Sequence, residues 1–238
     1  MLVLGIDTSC PRGSLALARL DSDFRVIAES SWERGKSHSE LVAVRLGELM
    51  ASANYVISEL DAIAVGIGPG SFTGLRVGLN VARTLGYAED IPLWPVNSLR
   101  LWAEPLLNDP RPVLVMVNAF RNLLYVALYQ RRGMGTVEVW GPRALTVEEL
   151  VSVLPEGAIQ VAGDGWATFH DFWPEDFKLR ATVSSVQWPE ARDLFPMMVG
   201  GSTCRQSLRW ESVKPLYIRG SEAEEKLRRG LLKPLPKV

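Results

Sequence analysis

Apolar and polar positions change their period along this chain, and each change marks an element. Leu2-Val3-Leu4-Gly5-Ile6 is a short apolar run that predicts a buried strand. Ser14–Leu20 and Arg25–Ser31 read as two more strands. From Ser37 to Ala51 the spacing becomes helical through Leu41, Val44 or Arg45, Glu48 and Leu49, with Ser37 as N-cap and Glu40 as its capping-box partner. Leu60–Ile67 returns to a strand, and Ile91–Val96, carrying Pro92 and Pro95, reads as a short edge strand.

Between those two strands lies the stretch that organises the rest. Gly68-Pro69-Gly70 turns the chain, and Ser71 or Thr73 caps a helix that runs on through Phe72 to about residue 87. Gly74, Gly78, Ala82 and Gly86 recur every four residues, so one face of that helix is nearly bare backbone. A glycine inside a helix costs about 1 kcal/mol against alanine, so something must pack very close to offset it. Leu75, Val77, Leu79, Val81 and Leu85 cover most of the remaining surface, and only Arg76, Asn80 and Arg83 form a polar stripe. A helix so apolar is buried nearly all round. A chain of this size can bury it alone; we expect a protein partner to share the work.

The same order of elements recurs in the second half. Pro112–Val117 is a strand, residues 118–122 a tight turn, Leu123–Gln130 and Thr136–Trp140 two more strands. Thr146–Leu154 follows as a helix with Glu149 at the box position, then Ala158–Ala162 as a strand and Trp166–Phe172 as a short helix. Trp188–Val199 reads as a helix interrupted by Pro196, and Pro215–Arg219 as a last strand. Two copies of β-β-β-α-β-α are similar to the duplicated, ribonuclease H-like layout of the actin/hexokinase/Hsp70 superfamily, an α/β fold with two subdomains. The expected division is 1–103, 104–220 with a return toward the first half near 188–220, and a charged tail 221–238.

Composition narrows the function. The chain has 238 residues, 47% apolar and 22% charged, with a net charge of −1, so no overall electrostatic case exists for nucleic acid or membrane binding. Cys10 and Cys204 make no disulfide framework and no metal motif, which fits a reducing cytosol. His38 and His170 fall in different halves with no acidic or thiol cluster beside them, so a metal site is not expected. The basic residues of the tail are interleaved with Glu222, Glu224 and Glu225 and read as solvated. Asp7, Thr8 and Ser9 in the first turn, with Gly163 near the second, are weak candidates for phosphate contacts. Asp7 equally fits a turn residue that accepts from backbone amides. Arg76, a cation on the first turn of a helix, opposes the dipole and calls for an acidic partner or ligand.

Residues 4–9 (LGIDTS), 36–41 (KSHSEL) and 68–78 (GPGSFTGLRVG), with 162–166 (AGDGW) and 215–219 (PLYIR), resemble the TsaB (YeaZ) family. The motif Gly68, Pro69, Gly70, Ser71, Phe72, Thr73, Gly74 … Gly78 carries most of that specificity. The resemblance implies a non-catalytic cytoplasmic subunit that supports the transferase TsaD, alongside the ATPase TsaE, in making threonylcarbamoyladenosine at position 37 of ANN-decoding tRNAs. ATP or ADP would then sit only at a junction with partner subunits. Two departures stand out: Asn118-Ala119-Phe120-Arg121 replaces the usual Asp-Ala-Arg, and Val96–Trp102 lacks the HxxxH metal pair of the catalytic relative. The expected docking face combines Leu41, Val42, Arg45, Leu46 and Leu49 with Arg76, Val77, Asn80, Val81 and Thr84, and would also close a homodimer. The alternative is an independent ATP-binding kinase or ATPase using the Asp7 loop.

Overall fold

A computed structural model describes residues 1–33, 38–133, 135–199 and 207–219. Strands β1 (Leu2–Asp7), β2 (Gly13–Leu20) and β3 (Phe24–Trp32) precede helix α1 (His38–Ser52), strand β4 (Ala62–Gly66), helix α2 (Phe72–Ala88), strand β5 (Leu93–Val96) and helix α3 (Ser98–Ala103). The second half contains β6 (Val113–Asn118), β7 (Leu124–Arg132), β8 (Gly135–Leu145), α4 (Val147–Ser152), β9 (Ile159–Ala162), α5 (Gly165–Thr168), α6 (Glu175–Arg180) and β10 (Ala181–Val183).

These strands form two mixed sheets, ordered β3-β2-β1-β4-β5 and β8-β7-β6-β9-β10. In each, the first three strands are antiparallel and the last two continue parallel from the middle strand. The helices do not repeat so well: α2 spans 17 residues and its positional counterpart α5 only 4. Central β1 is buried at all six positions, as a strand covered on both faces must be.

Alternation along the strands separates the cores. Leu2, Leu4 and Ile6 of β1 face α1 and α2, while Val3 faces the 3-10 turn Ala191–Met197. In the second sheet Leu114 and Met116 pack under α4, α5 and α6, whereas Val113 and Val115 face α3. Helix α3 lies between the sheets: Leu101 joins the first sheet's core and Leu99, Trp102 and Ala103 join the second's. All six of its residues are buried, including Arg100, which pairs with Glu104 at 3.3 Å.

Three sequence expectations need correction. The stretch Trp188–Val199 forms only the 3-10 turn at 191–197, because Pro196 lacks the amide a longer helix needs. Pro215–Arg219 pairs with no strand; it is an irregular strap held by the Leu216 amide and by the side chains of Tyr217 and Arg219. Helix α6 and strand β10, six and three residues long, lie where no element was expected. The expected N-cap Ser37, Cys204 and the tail 221–238 lie outside the described residues. Among those described, no helix is long and apolar enough to cross a membrane.

Candidate functional site

Strand β1 ends at Asp7, and the turn that follows is clamped by the start of α2. Ser71 caps that helix, its hydroxyl accepting from the Gly74 amide at 3.2 Å. The Thr8 hydroxyl donates to the Gly74 carbonyl at 2.7 Å and accepts from the Gly78 amide at 3.1 Å. A Cβ on Gly74 would meet the Thr8 carbonyl at 2.1 Å, and one on Gly78 the Thr8 hydroxyl at 2.4 Å. Gly70 approaches the Ser9 carbonyl just as closely, and Ser71 donates its amide to that oxygen at 2.7 Å. The bare glycine face is therefore filled by this chain itself, by the first turn at Gly74 and Gly78 and by Ile91, Leu93 and Trp210 at Gly86.

Asp7 is fully buried. Its carboxylate accepts from the Ser9 hydroxyl at 2.9 Å and the Ser98 hydroxyl at 3.2 Å, while Ser98 in turn accepts from the Gly68 amide at 3.0 Å. Burial pushes this carboxyl up to about 6, against the pull of those Ser9 and Ser98 hydrogen bonds. Gly66 leaves the room, since a Cβ there would sit 1.9 Å from the carboxylate. A carboxylate enclosed in this way does not reach a magnesium-bound water, and Thr8 is spent on α2. Of the three suggested phosphate contacts in the turn, only Ser9 lines open space.

That space is a cleft of about 400 Å³ between the two halves. Opposite Ser9, the turn after β6 carries three successive left-handed residues, Phe120, Arg121 and Asn122, at φ 60, 54 and 59°. The Asn118 amide donates to Asp164 at 2.8 Å, so a carboxylate absent from the turn's own sequence arrives from the end of β9. Burial raises the Asp164 pKa, opposed by that amide. Gly163 holds φ +97 with its backbone against the Met116 carbonyl and does not line the cleft. The strap bridges both sides: Leu216 donates to the Ile67 carbonyl at 2.7 Å, and Arg219 donates to the Ala119 and Phe120 carbonyls.

Within this chain Arg76 meets rings. Its guanidinium lies 3.9 Å from the Phe72 ring centroid, and its Nε donates to the Tyr217 hydroxyl at 3.0 Å. Phe72 and Tyr217 stack at 4.9 Å. His38 ties three elements together. The Trp32 indole, a donor only, gives its hydrogen to Nδ1 at 3.0 Å, so Nε2 carries the hydrogen donated to the Cys10 carbonyl at 3.1 Å. Among the described residues no three His, Cys, Asp or Glu side chains gather as a metal would need.

The expected docking face divides. Val42, Leu46 and Leu49 are buried in the first sheet's core, because α1 turns this stripe inward; they are withdrawn from the face. Leu46 is only 7% exposed, so Leu46→Glu would bury a charge rather than probe a surface. Leu41, Arg45, Val77 and Val81 are half-buried, while Arg76, Asn80 and Thr84 are exposed. Arg45 pairs with Glu48 at 3.1 Å. Val44, 56% exposed, belongs to the outer surface that the sequence reading did not select. Ser98 was also missed; its bond to Asp7 spans 91 residues, beyond any local signal.

A two-sheet α/β chain with a closed first turn and a glycine-faced second helix has clear relatives. The model of the TsaD family, tRNA N6-adenosine threonylcarbamoyltransferase, matches residues 27–233, which defines the class. Among similar proteins is the tRNA threonylcarbamoyladenosine biosynthesis protein TsaB of Escherichia coli, 26% identical over 235 residues, 95% of this chain and 98% of that one. The TsaB protein of Bacillus subtilis is 35% identical over 130 residues, 55% of this chain and 56% of its own. The fold of YeaZ from Pseudomonas aeruginosa superposes with a TM-score of 0.76 at 23% identity, covering 91% of this chain and 99% of that one. The chain belongs to the TsaB (YeaZ) family within that class.

Proposed function

We propose that this chain is a non-catalytic subunit that docks the TsaD transferase and supports formation of threonylcarbamoyladenosine at position 37 of ANN-decoding tRNAs. The observation that carries the reading is the outer surface of α1 and α2. The helices' inner faces are already filled, yet Leu41, Val44, Val77 and Val81 keep apolar surface outside. A standard interface buries about 1,600 Å² in total, and two adjacent helices can supply half of that. In the absence of the transferase the same surface closes on a second copy, giving a symmetric dimer. The ATPase TsaE joins the larger assembly. Any ATP or ADP there is held at the junction of subunits, since Asp7 and Thr8 of this chain are committed to their own α2 and Ser98.

The test is copurification with the transferase. Val44→Glu and Val81→Glu place charge on the surface without filling the core, so both variants should fold and fail to retain TsaD. Wild-type retention by both would discard the face. Calorimetry with ATP and magnesium on the isolated chain separates this reading from an independent enzyme: micromolar binding with turnover lost in Asp7→Ala would favour the enzyme.

A further inference from the structure

One edge of α2 carries a ladder of cations and rings that no single sequence segment contains. Residues 210–217 run beside the helix and interleave with it. Tyr217 stacks on Phe72 beneath Arg76, and one helical stretch further along Arg83 lies 5.7 Å from the Trp210 ring centroid. Tyr87 closes the ladder, edge-on to Trp210 at 5.2 Å and 71% exposed. Arg76, Arg83 and Tyr87 fall within about 40° of one another around the helix, whereas Val81 lies about 140° from Arg76, on the docking side.

Charge on this edge is uncompensated where the helix supplies it. Arg209 is neutralised by Asp90 and Glu211 at 3.5 and 3.6 Å. No described carboxylate pairs with Arg76, Arg83 or the exposed Lys214 just before the strap. Three cations without a described carboxylate partner, two of them set against partly exposed rings, match the chemistry of single-stranded nucleic acid, where bases stack on aromatic faces and cations follow phosphates.

We propose that this edge of α2 contacts unpaired RNA nucleotides; the inference rests on the chain acting within a tRNA-modifying assembly. The net charge of −1 conceals such a surface because acids elsewhere balance it. The test is fluorescence anisotropy of the full chain with a labelled single-stranded oligoribonucleotide of about ten residues. Binding should weaken about twentyfold between about 50 and 200 mM salt if three phosphates are neutralised. Arg83→Gln combined with Tyr87→Ala should weaken it about tenfold at low salt with an unchanged circular dichroism spectrum. Val81→Glu should bind the oligonucleotide as wild type does. Absence of salt-sensitive binding by the wild type, or wild-type affinity in the double variant, overturns the proposal. So does a double variant that releases the transferase while binding RNA normally, which would make the edge a protein contact. Loss of the transferase in Val81→Glu alone bears only on the docking reading.

Discussion

Asp7 decides how the first turn is to be understood. Its residue type and place fit both a phosphate-gripping turn and a structural one; the sequence leaves the two open because the deciding partner, Ser98, lies far along the chain. With the folded carboxyl at about 6 against an ordinary 3.8, the folded state holds its proton more tightly than the unfolded chain. Stability from this group is therefore greatest below pH 3.8, falls as pH rises through the window to about 6, and stays lost above it. The loss is on the order of 3 kcal/mol before relaxation. Asp7→Asn keeps the shape and an acceptor for Ser9, so it should raise the thermal midpoint at neutral pH and flatten the decline between about pH 4 and 6. Urea titrations at several pH values measure this. A variant less stable than wild type at pH 7, with the slope intact, would mean that the charge itself is needed.

At the scale of elements, the spacing of glycines along α2 correctly demands a close neighbour, but spacing alone does not say whose atoms those are. The answer is the carbonyl and hydroxyl of Thr8, a contact between residues 66 and 70 positions apart. Gly74→Ala therefore sets a helix-propensity gain of about 1 kcal/mol against a clash with fixed backbone, and should destabilise by about 3 kcal/mol net. Gly47 in α1 is the control: a Cβ there meets nothing within 4 Å, so Gly47→Ala should stabilise by about 0.5–1 kcal/mol. Chemical denaturation of both variants checks the pair; equal effects would mean that propensity alone governs these helices. The long elements were legible for the reason these glycines are: α1, α2 and β1 carry enough periodic residues to define a face. Helices α5 and α6, with four and six residues, are set by the Trp166, Trp173 and Phe177 cluster around them rather than by any local pattern. The docking face failed at Val42, Leu46 and Leu49 for a related reason, since apolar spacing finds the buried stripe of a helix before it finds a sticky outer one.

Taken whole, the molecule is two sheets that share a helix. A two-lobed enzyme that closes on its substrate needs a hinge of a few residues free to change their backbone angles. Here the connection between lobes is α3, buried throughout, with Leu101 in one core and Trp102 in the other, and Trp188 packed on Trp102 at 5.8 Å. The strap adds a second tie, from Ile67 through Tyr217 to the turn at Ala119 and Phe120. Both ties oppose a closing motion of the two halves, in line with the docking role proposed above. Trp102→Ala removes a fully enclosed ring from between the sheets and should destabilise by about 3–5 kcal/mol. Because both cores lean on α3, the loss should fall on the whole molecule: far-ultraviolet circular dichroism and intrinsic fluorescence should report one coincident unfolding transition, shifted down together. Two separate transitions, with only the second sheet weakened, would show lobes that are independently stable, and the cleft between them would then be free to open and close.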